Sequence, residues 1–333
     1  MKPTGNENDI AVTTRIRLAR NIKGVPYPSN MSVADARNLI DDVWSAFDNS
    51  PLKNELKLYR ISDISDIEKK SLIEKHLISP ELCASRVPSV AIISNDEKIS
   101  VMVNEEDHIR LQVFESGLEA EKAYDTAKKL EALLSEKLTF DYDDEFGYLT
   151  SCPTNAGTGL RASVMLHLPA ISATQSINPL LKWAANLSMT VRGLYGEGSK
   201  ASGGLFQLSN QTTLGIEEKD IISRFTAAAC SLISEERRIS AELFEKKHSE
   251  MTDKCLRSLG LLKYAHMISS NEAMNLVSNV CMGANSGIIK NIDCAKLRRA
   301  LFDTMPATLV LKTKEDAAEN RDIKRAEILQ NAL

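Results

Sequence analysis

The chain has 333 residues, of which 43% are hydrophobic and 26% are charged; this is ordinary for a soluble globular protein and leaves room for two domains. The formal net charge of -4 argues against direct binding of nucleic acid through bulk positive charge. The sequence has no signal-peptide segment, no apolar stretch that could span a bilayer and no CxxC pair among its 6 cysteines, so we expect a cytoplasmic protein with reduced thiols and no membrane partner or protein-held metal.

Hydrophobic periodicity predicts a mixed α/β portion followed by helices. In chain order we predict a strand at 10–18, helices at 32–47 (with Ser32 as the N-cap) and 66–76, strands at 90–93 and 98–103, a helix at 115–138, a strand or helix start at 163–168, a helix at 177–188, and strands at 190–195 and 204–209. Further helices are predicted at 219–262 (one or two), 271–282, 293–303 and 316–332. Because strands and helices do not alternate regularly, the predicted fold class is α+β, with the helix near 219–245 as the connector.

The first candidate motif is the run of residues 13–17 in the first predicted strand. Residues two apart in a strand share a face, so Arg15 and Arg17 project together and suit an anion. A solvated basic edge strand explains the same residues and is the preferred interpretation when the motif is taken alone.

A dense cluster of ionisable residues follows at 103–110. Glu105, Glu106 and Asp107 are candidate bases, and His108 and Arg110 are candidate phosphate contacts. A turn with solvated charges is an equally good interpretation.

Two glycine-containing loops could approach a ligand closely. Cys152 begins the first, which leads to Arg161 without the Gly-Lys-Ser/Thr of a Walker loop; an ordinary loop with a structural cysteine is favoured on thiol chemistry alone. Glu197 in the second suits a lid over a substrate, or a hairpin tip with a solvated glutamate.

Two further features are weak when taken singly. His76 is a lone histidine, which is more often structural than a ligand contact. Arg321 and Arg325 are four apart on a predicted helix and suit a phosphate, although an exposed, salt-bridged helix end with Asp322 is the preferred interpretation without context.

Taken together and in order, these motifs closely resemble the phosphagen (guanidino) kinases, the family of arginine and creatine kinases, and within it the bacterial protein-arginine kinases of McsB type. The matching segments are TTRIRLARN, KHLISP, VNEEDHIRLQ, CPTNAGTGLRASVMLHLP, RGLYGEGS and RDIKRA. The resemblance implies a guanidino-kinase catalytic domain at 1–235, with an antiparallel sheet flanked by helices. It also implies an all-helical domain at 236–333 for dimerisation and phosphoarginine binding.

The resemblance also implies roles for individual residues. ATP contacts are implied at Thr13, Thr14, Arg15, Ile16, Arg17, His76, Arg110, Arg161, Ala162, Ser163, Val164, Met165, Arg192, Gly193, Leu194, Tyr195, Gly196 and Glu197. Glu106 and Glu197 are implied to hold the substrate guanidinium, and Cys152 is implied to be the active-site cysteine. An allosteric phosphoarginine site is implied at Arg321, Asp322, Arg325 and Ala326.

These roles fit phosphoryl transfer, which needs charge stabilisation more than covalent help. We expect Mg²⁺ to be held mainly by the nucleotide phosphates. Glu106 is the expected base, with Glu197 completing the site when its loop closes.

Protein arginine is the expected acceptor because only twelve residues precede Thr13, which leaves no room for the helical domain that encloses small substrates in the family. The alternatives are a free-arginine phosphagen kinase and a catalytically inactive phosphoarginine-binding adaptor. By resemblance, the expected partners are protein substrates bearing arginine, an activator zinc-binding protein, a heat-shock repressor, the Clp chaperone–protease and a second copy of the chain, in a stress response that tags proteins for degradation.

Overall fold

The computed structural model describes residues 5–174, 177–193 and 202–333. Its strands are, in chain order, β1 (Ala11–Arg20), β2 (Leu56–Arg60), β3 (Val90–Ser94), β4 (Ile99–Val103), β5 (Ile109–Ser116), β6 (Tyr142–Asp143), β7 (Gly147–Tyr148), β8 (Leu160–His167), β9 (Met189–Gly193) and β10 (Leu205–Asn210). Eight of these strands form one sheet in the order β2-β3-β4-β5-β1-β8-β10-β9, and every neighbouring pair is antiparallel.

Helices cover one face of this sheet and parts of the opposite face. They are α1 (Val33–Asp48), α2 (Asp66–Glu74), α3 (Pro80–Cys83), α4 (Ala120–Ser135), α5 (Pro169–Ala173), α6 (Ile177–Asn186), α7 (Glu218–Lys246), α8 (His248–Tyr264), α9 (Ser270–Asn285), α10 (Cys294–Asp303), α11 (Pro306–Thr313) and α12 (Ala318–Gln330). The predicted α+β fold, with an antiparallel sheet and an all-helical C-terminal portion, is confirmed.

The main core lies between the sheet and helices α1, α4 and α7. Alternate residues of each strand point into it; Ile16 and Leu18 of β1 are fully buried there beside Leu111 and Val113 of β5. The intervening residues of the same strands therefore lie on the opposite face, which α1, α4 and α7 leave open for chemistry.

Several predicted elements are confirmed with small shifts, and one is wrong in part. The Ser32 hydroxyl caps α1 by accepting a hydrogen bond from the backbone of Asp35, as predicted, and residues 163–167 belong to a strand, whereas Leu168 is the N-cap of α5. The helix predicted at 115–138 begins only at Ala120, because Glu115 and Ser116 pair with β1 and Gly117 leaves the strand with φ 72°. Strands β2, β5, β6 and β7 and helices α3, α5 and α11 were not predicted.

The C-terminal helices have their own core and pack directly against the sheet. Met165 of β8 and Leu205 of β10 are buried in this second core. The guanidinium of Arg298 on α10 donates to the backbone carbonyls of Asn8 (2.9 Å) and Asp9 (3.2 Å), which precede β1. The predicted domain limit between residues 235 and 236 falls inside the continuous helix α7. None of the described helices combines the length and apolar character that crossing a membrane requires.

Candidate active site

The open face of the sheet gathers arginines from strands that are distant in sequence. Residues paired across an antiparallel sheet lie on one face. Arg17 is paired with Arg161 of β8, and Ala19, two residues further along β1, is paired with Arg110 of β5. Arg15 lies on the same face because it is two residues from Arg17. The structure thus brings together four of the arginines predicted as ATP contacts.

The fifth predicted arginine, Arg192, reaches the same face from β9. It is paired with Gln207 of β10, which in turn is paired with Met165 of β8. Arg192 is exposed and Gly193 follows it at the end of the strand. The other predicted contacts of this segment, residues 194–197 including Glu197, lie outside the described residues.

The arginine cluster has a strong excess of positive charge. Within the described ranges no carboxylate lies within ion-pairing distance of Arg15, Arg17 or Arg161. Burial, followed by the charges of Arg161 and Arg110, lowers the pKa of Arg15 to about 10. Burial and neighbouring arginines also lower the pKa of Arg17 and of Arg161. Side chains that repel one another in this way are stabilised by a bound anion.

Neutral polar groups hold the cluster in place but leave donors unused. Arg15 donates from Nη2 to Gln207 Oε1 at 3.2 Å, and its guanidinium lies 5.9 Å from the centre of the Phe114 ring. Arg161 donates to Ser209 Oγ at 3.4 Å. The Nε atoms of Arg17 and Arg161 are buried and have no hydrogen-bond partner among the residues that the structure describes. Such unsatisfied donors favour an acceptor-rich ligand.

Arg110 joins this cluster to the two glutamates of the turn between β4 and β5. It donates from Nη1 to Glu105 at 2.7 Å and from Nη2 to Glu106 at 2.9 Å. Glu105 is buried and also accepts a hydrogen bond from the Ser79 hydroxyl at 2.5 Å, whereas the side chain of Glu106 is 43% exposed. Burial raises the pKa of Glu106, and the charge of Arg110 opposes this. Of the two, Glu106 is therefore the carboxylate that a substrate can reach.

Asp107, the third predicted candidate base, has a structural role. It is fully buried and accepts hydrogen bonds from Asn21 Nδ2 (2.8 Å) and from the backbone of Ser151 (2.7 Å), while the Ser151 hydroxyl donates to the carbonyl of Glu106 (2.7 Å). These bonds hold the segment that leads to Cys152 against the turn that carries Glu106. Sequence reasoning did not identify the contribution of Ser151 or Asn21.

The cysteine loop lies beside the arginines. The half-buried Cys152 thiol lies 3.0 Å from the Thr154 hydroxyl and near Arg161. The glycines of this loop pack against protein: a Cβ on Gly159 would lie 2.6 Å from the carbonyl oxygen of Ala19. Close packing of the loop on β1 thus explains Gly159, where the sequence had suggested approach to a ligand.

Four of the predicted ATP contacts have side chains that point away from this site. Thr14, Ile16, Ala162 and Val164 are buried on the core face of the sheet. The Thr14 hydroxyl donates to the carbonyl of Gly117 at 2.6 Å. The alternation of a strand places their neighbours, and not these side chains, on the ligand face. The ATP contacts predicted at these four positions therefore cannot be made by their side chains.

The remaining predicted contacts border a cavity that adjoins the arginines. Thr13, Met165 and His76 line this space of about 350 Å³, and Ser163 lies between it and Arg161 along β8. Burial, with the charges of Arg15 and Arg17, lowers the pKa of His76 to about 4, so the imidazole is neutral at pH 7.

Comparison with known proteins agrees with this geometry. Residues 38–239 match the family model of the ATP:guanido phosphotransferase C-terminal catalytic domain, and residues 248–333 match that of the protein-arginine kinase McsB C-terminal domain. The protein-arginine kinase of Halothermothrix orenii is 42% identical over 99% of this chain and 94% of its own, and that of Clostridium novyi is 42% identical over 98% and 95%. The chain belongs to the protein-arginine kinase family.

Solved structures show the same fold at lower identity. Lombricine kinase superposes with a TM-score of 0.64 at 21% identity, covering 73% of this chain and 70% of its own. The substrate-free duplicated taurocyamine kinase of Schistosoma mansoni gives 0.62 at 21% identity, covering 87% and 50%. The two family models meet between residues 239 and 248, around the junction of α7 and α8 at Lys247.

In this member of the protein-arginine kinase family, the predicted phosphoarginine site is closed. Arg325 is buried; it donates to the carbonyls of Thr304 (3.1 Å) and Ile268 (2.9 Å) and pairs with Asp322. Arg321 instead donates to the carbonyl of Asp316, and Ala326 is buried. The two arginines therefore do not form an open pair, nor is Arg325 part of the exposed helix end favoured from sequence alone.

Proposed function

We propose that this chain transfers the γ-phosphoryl group of ATP to the guanidinium of arginine residues in proteins. The observation that carries the proposal is the cluster of Arg15, Arg17, Arg110 and Arg161 on one sheet face, rich in uncompensated charge and joined directly to Glu106. A polyanion that places its reacting group beside a carboxylate fits both parts of this arrangement.

In this proposal the arginines bind and orient the triphosphate. Because they are fixed by strand pairing and by neutral side chains such as Gln207 and Ser209, they need little rearrangement as charge spreads over the phosphoryl oxygens. Arg192 and residues 194–197 would complete the nucleotide contacts. Mg²⁺ would arrive on the phosphates and keep water ligands, since the side chains that face the phosphates are cationic.

Glu106 would receive the substrate guanidinium. The acceptor nitrogen is a poor nucleophile because the guanidinium is protonated, so the enzyme must align it and accept a proton. Burial makes the Glu106 carboxylate more basic, and Arg110 keeps it pointing towards the phosphates. Glu197, outside the described residues, would supply the second carboxylate, and Cys152 would contact the acceptor near Arg161.

For the C-terminal helices we propose dimerisation and phosphoarginine sensing by Arg321, Asp322, Arg325 and Ala326. Since Arg325 is buried, binding there requires local opening of α12 from Thr304 and Ile268. We also propose a cytoplasmic location and, by family resemblance, an activator zinc-binding protein, a heat-shock repressor and the Clp chaperone–protease as partners in a stress response.

The test incubates the purified chain with Mg-ATP and either a denatured protein mixture or free arginine. Phosphoarginine is then measured by mass spectrometry under non-acidic conditions, with Glu106→Gln as the inactive control. We expect phosphoarginine on proteins. A product with free arginine alone would indicate a phosphagen kinase, and ATP binding without any product would indicate a phosphoarginine-binding adaptor.

A further inference from the structure

The cavity beside the arginine cluster has a wall that does not come from the catalytic sheet. On one side lie Thr13 of β1, Phe114 of β5 and Met165 of β8. On the other side lie residues of α10, which belongs to the segment 248–333 of the C-terminal family model. The nucleotide-binding face of the kinase is thus covered at one end by the C-terminal helices.

The cavity continues the row of arginines along β1. Thr13 shares a face with Arg15 two residues later, a step of about 7 Å along a strand. A nucleotide whose phosphates contact Arg15 and Arg17 can therefore extend its ribose and base into this space. The volume of about 350 Å³ lies in the range of small-ligand pockets.

The chemistry of the lining fits an uncharged aromatic ring. Phe114, Met165 and Phe302 are apolar, and His76 is neutral at pH 7 because burial and the arginines lower its pKa to about 4. Charged side chains also border the cavity, and most of them have partners in the protein: Lys75 pairs with Glu97, Asp303 with Lys312, and Glu74 accepts from the backbone of Ala307 and Thr308. Arg298 and Arg299 of α10 line the cavity too, and the Arg298 guanidinium donates to the carbonyls of Asn8 and Asp9.

Helix α10 is held firmly enough to act as a wall. Asp293 caps it by accepting from the backbone of Ala295 and Lys296 at 3.0 Å each, and Leu297 is buried in the C-terminal core. Ala295 and Phe302 are seven residues apart, two turns of the helix, so both face the cavity.

We propose that α10 forms the outer wall of the base compartment, with Phe302 and Ala295 in contact with the purine of ATP. The C-terminal domain thereby takes part in nucleotide binding as a specificity-determining element. This inference rests on the proposed use of ATP and adds a contact from outside the catalytic sheet.

The test compares Mg-ATP with Mg-tripolyphosphate, which has the phosphates and lacks the base, by titration calorimetry on the full chain. Phe302→Ala should weaken ATP binding about tenfold, because one aromatic contact is lost, and leave tripolyphosphate binding unchanged. Ala295→Leu, which narrows the cavity without removing a packed ring, should act in the same way. Phe146→Ala removes an exposed ring that does not line this cavity and should change neither affinity.

An unchanged ratio of ATP to tripolyphosphate affinity in both α10 variants would overturn the inference. Equal weakening of ATP and tripolyphosphate binding would also overturn it, because α10 would then act through the fold. An effect of Phe146→Ala on ATP affinity as large as that of the α10 variants would overturn it as well. A different result would contradict the proposed function. If the wild-type chain binds ATP more tightly than tripolyphosphate but makes no phosphoarginine, it has the base compartment and is not a kinase.

Discussion

Glu105 and Glu106 are adjacent in the β4–β5 turn, and we expect replacement by glutamine to affect a different property of the protein at each position. The side chain of Glu105 is 0% exposed, and it pairs with Arg110 at 2.7 Å while accepting bonds from the Ser79 hydroxyl and the backbone of Glu106. The side chain of Glu106 is 43% exposed and, within the described part of the chain, forms an ion pair with Arg110 alone. We therefore predict that Glu105→Gln damages stability and Glu106→Gln damages catalysis.

The magnitudes follow from burial. Removing one partner of a buried ion pair costs about 3–5 kcal/mol, so Glu105→Gln should lower the free energy of unfolding by about 3 kcal/mol, since the amide retains part of the hydrogen bonding. Removing an exposed ion pair costs less than about 1 kcal/mol, so the free energy of unfolding of Glu106→Gln should be almost that of the wild type. Loss of a general base should lower its turnover by about 10²–10⁴-fold.

Urea unfolding gives the free energies, calorimetry gives ATP affinity, and phosphoarginine formation at saturating ATP gives turnover. Glu106→Gln should keep its ATP affinity within about threefold, because the phosphates contact arginines. Equal loss of stability in the two variants, or near-normal turnover of Glu106→Gln, would refute the assignment of roles to these two residues.

Three further predictions concern charges elsewhere. Arg161→Met should leave the unfolding free energy unchanged or higher, since it relieves repulsion within the arginine cluster, while calorimetry should show ATP binding weaker by about 10–100-fold. Burial raises the pKa of Glu236 to about 7, so the folded state binds more protons than the unfolded state between about pH 4.5 and 7, and stability falls as pH rises through this window. Urea unfolding should show that wild type loses about 3 kcal/mol relative to Glu236→Gln between about pH 5 and 8, whereas parallel pH profiles would contradict this. Arg325→Lys should lower the unfolding free energy by about 2 kcal/mol because lysine cannot reproduce the two bonds to carbonyls, while Arg321→Lys, at a partly exposed position beside Asp316, should change it by less than about 0.5 kcal/mol.

The local elements were predictable where the pattern and the caps agree. The strand at β1 and the helix begun by Ser32 follow from alternation and from a side-chain cap. Strand β5 was missed although Ile109, Leu111 and Val113 alternate and are buried, because the acidic turn before it and the helix after it obscured a short period-two signal. The order of strands was not predictable, since β1 lies between partners that come much later in the chain.

The sequence predicted which segments contribute to the site, but not which of their side chains face it. Alternation along β1 and β8 removes Ile16 and Val164 from the ligand face, which a strand prediction applied residue by residue could have shown. The burial of Arg325 was not foreseeable, because its partners at Ile268 and Thr304 are carbonyls brought near only by the tertiary fold. The position of α10 beside Thr13 was likewise not foreseeable, because only the tertiary fold brings the two together.

The central position of β1 has a consequence for the order of events during folding. Its arginines come together as the proposed phosphate site only after β5 and β8 have paired with it, so contacts across about a hundred residues or more must close first. The proposed nucleotide site is therefore absent until this part of the sheet has formed. ATP should slow unfolding of the native chain while leaving the rate of refolding almost unchanged, which makes it a kinetic stabiliser of the finished enzyme and not an aid to its folding.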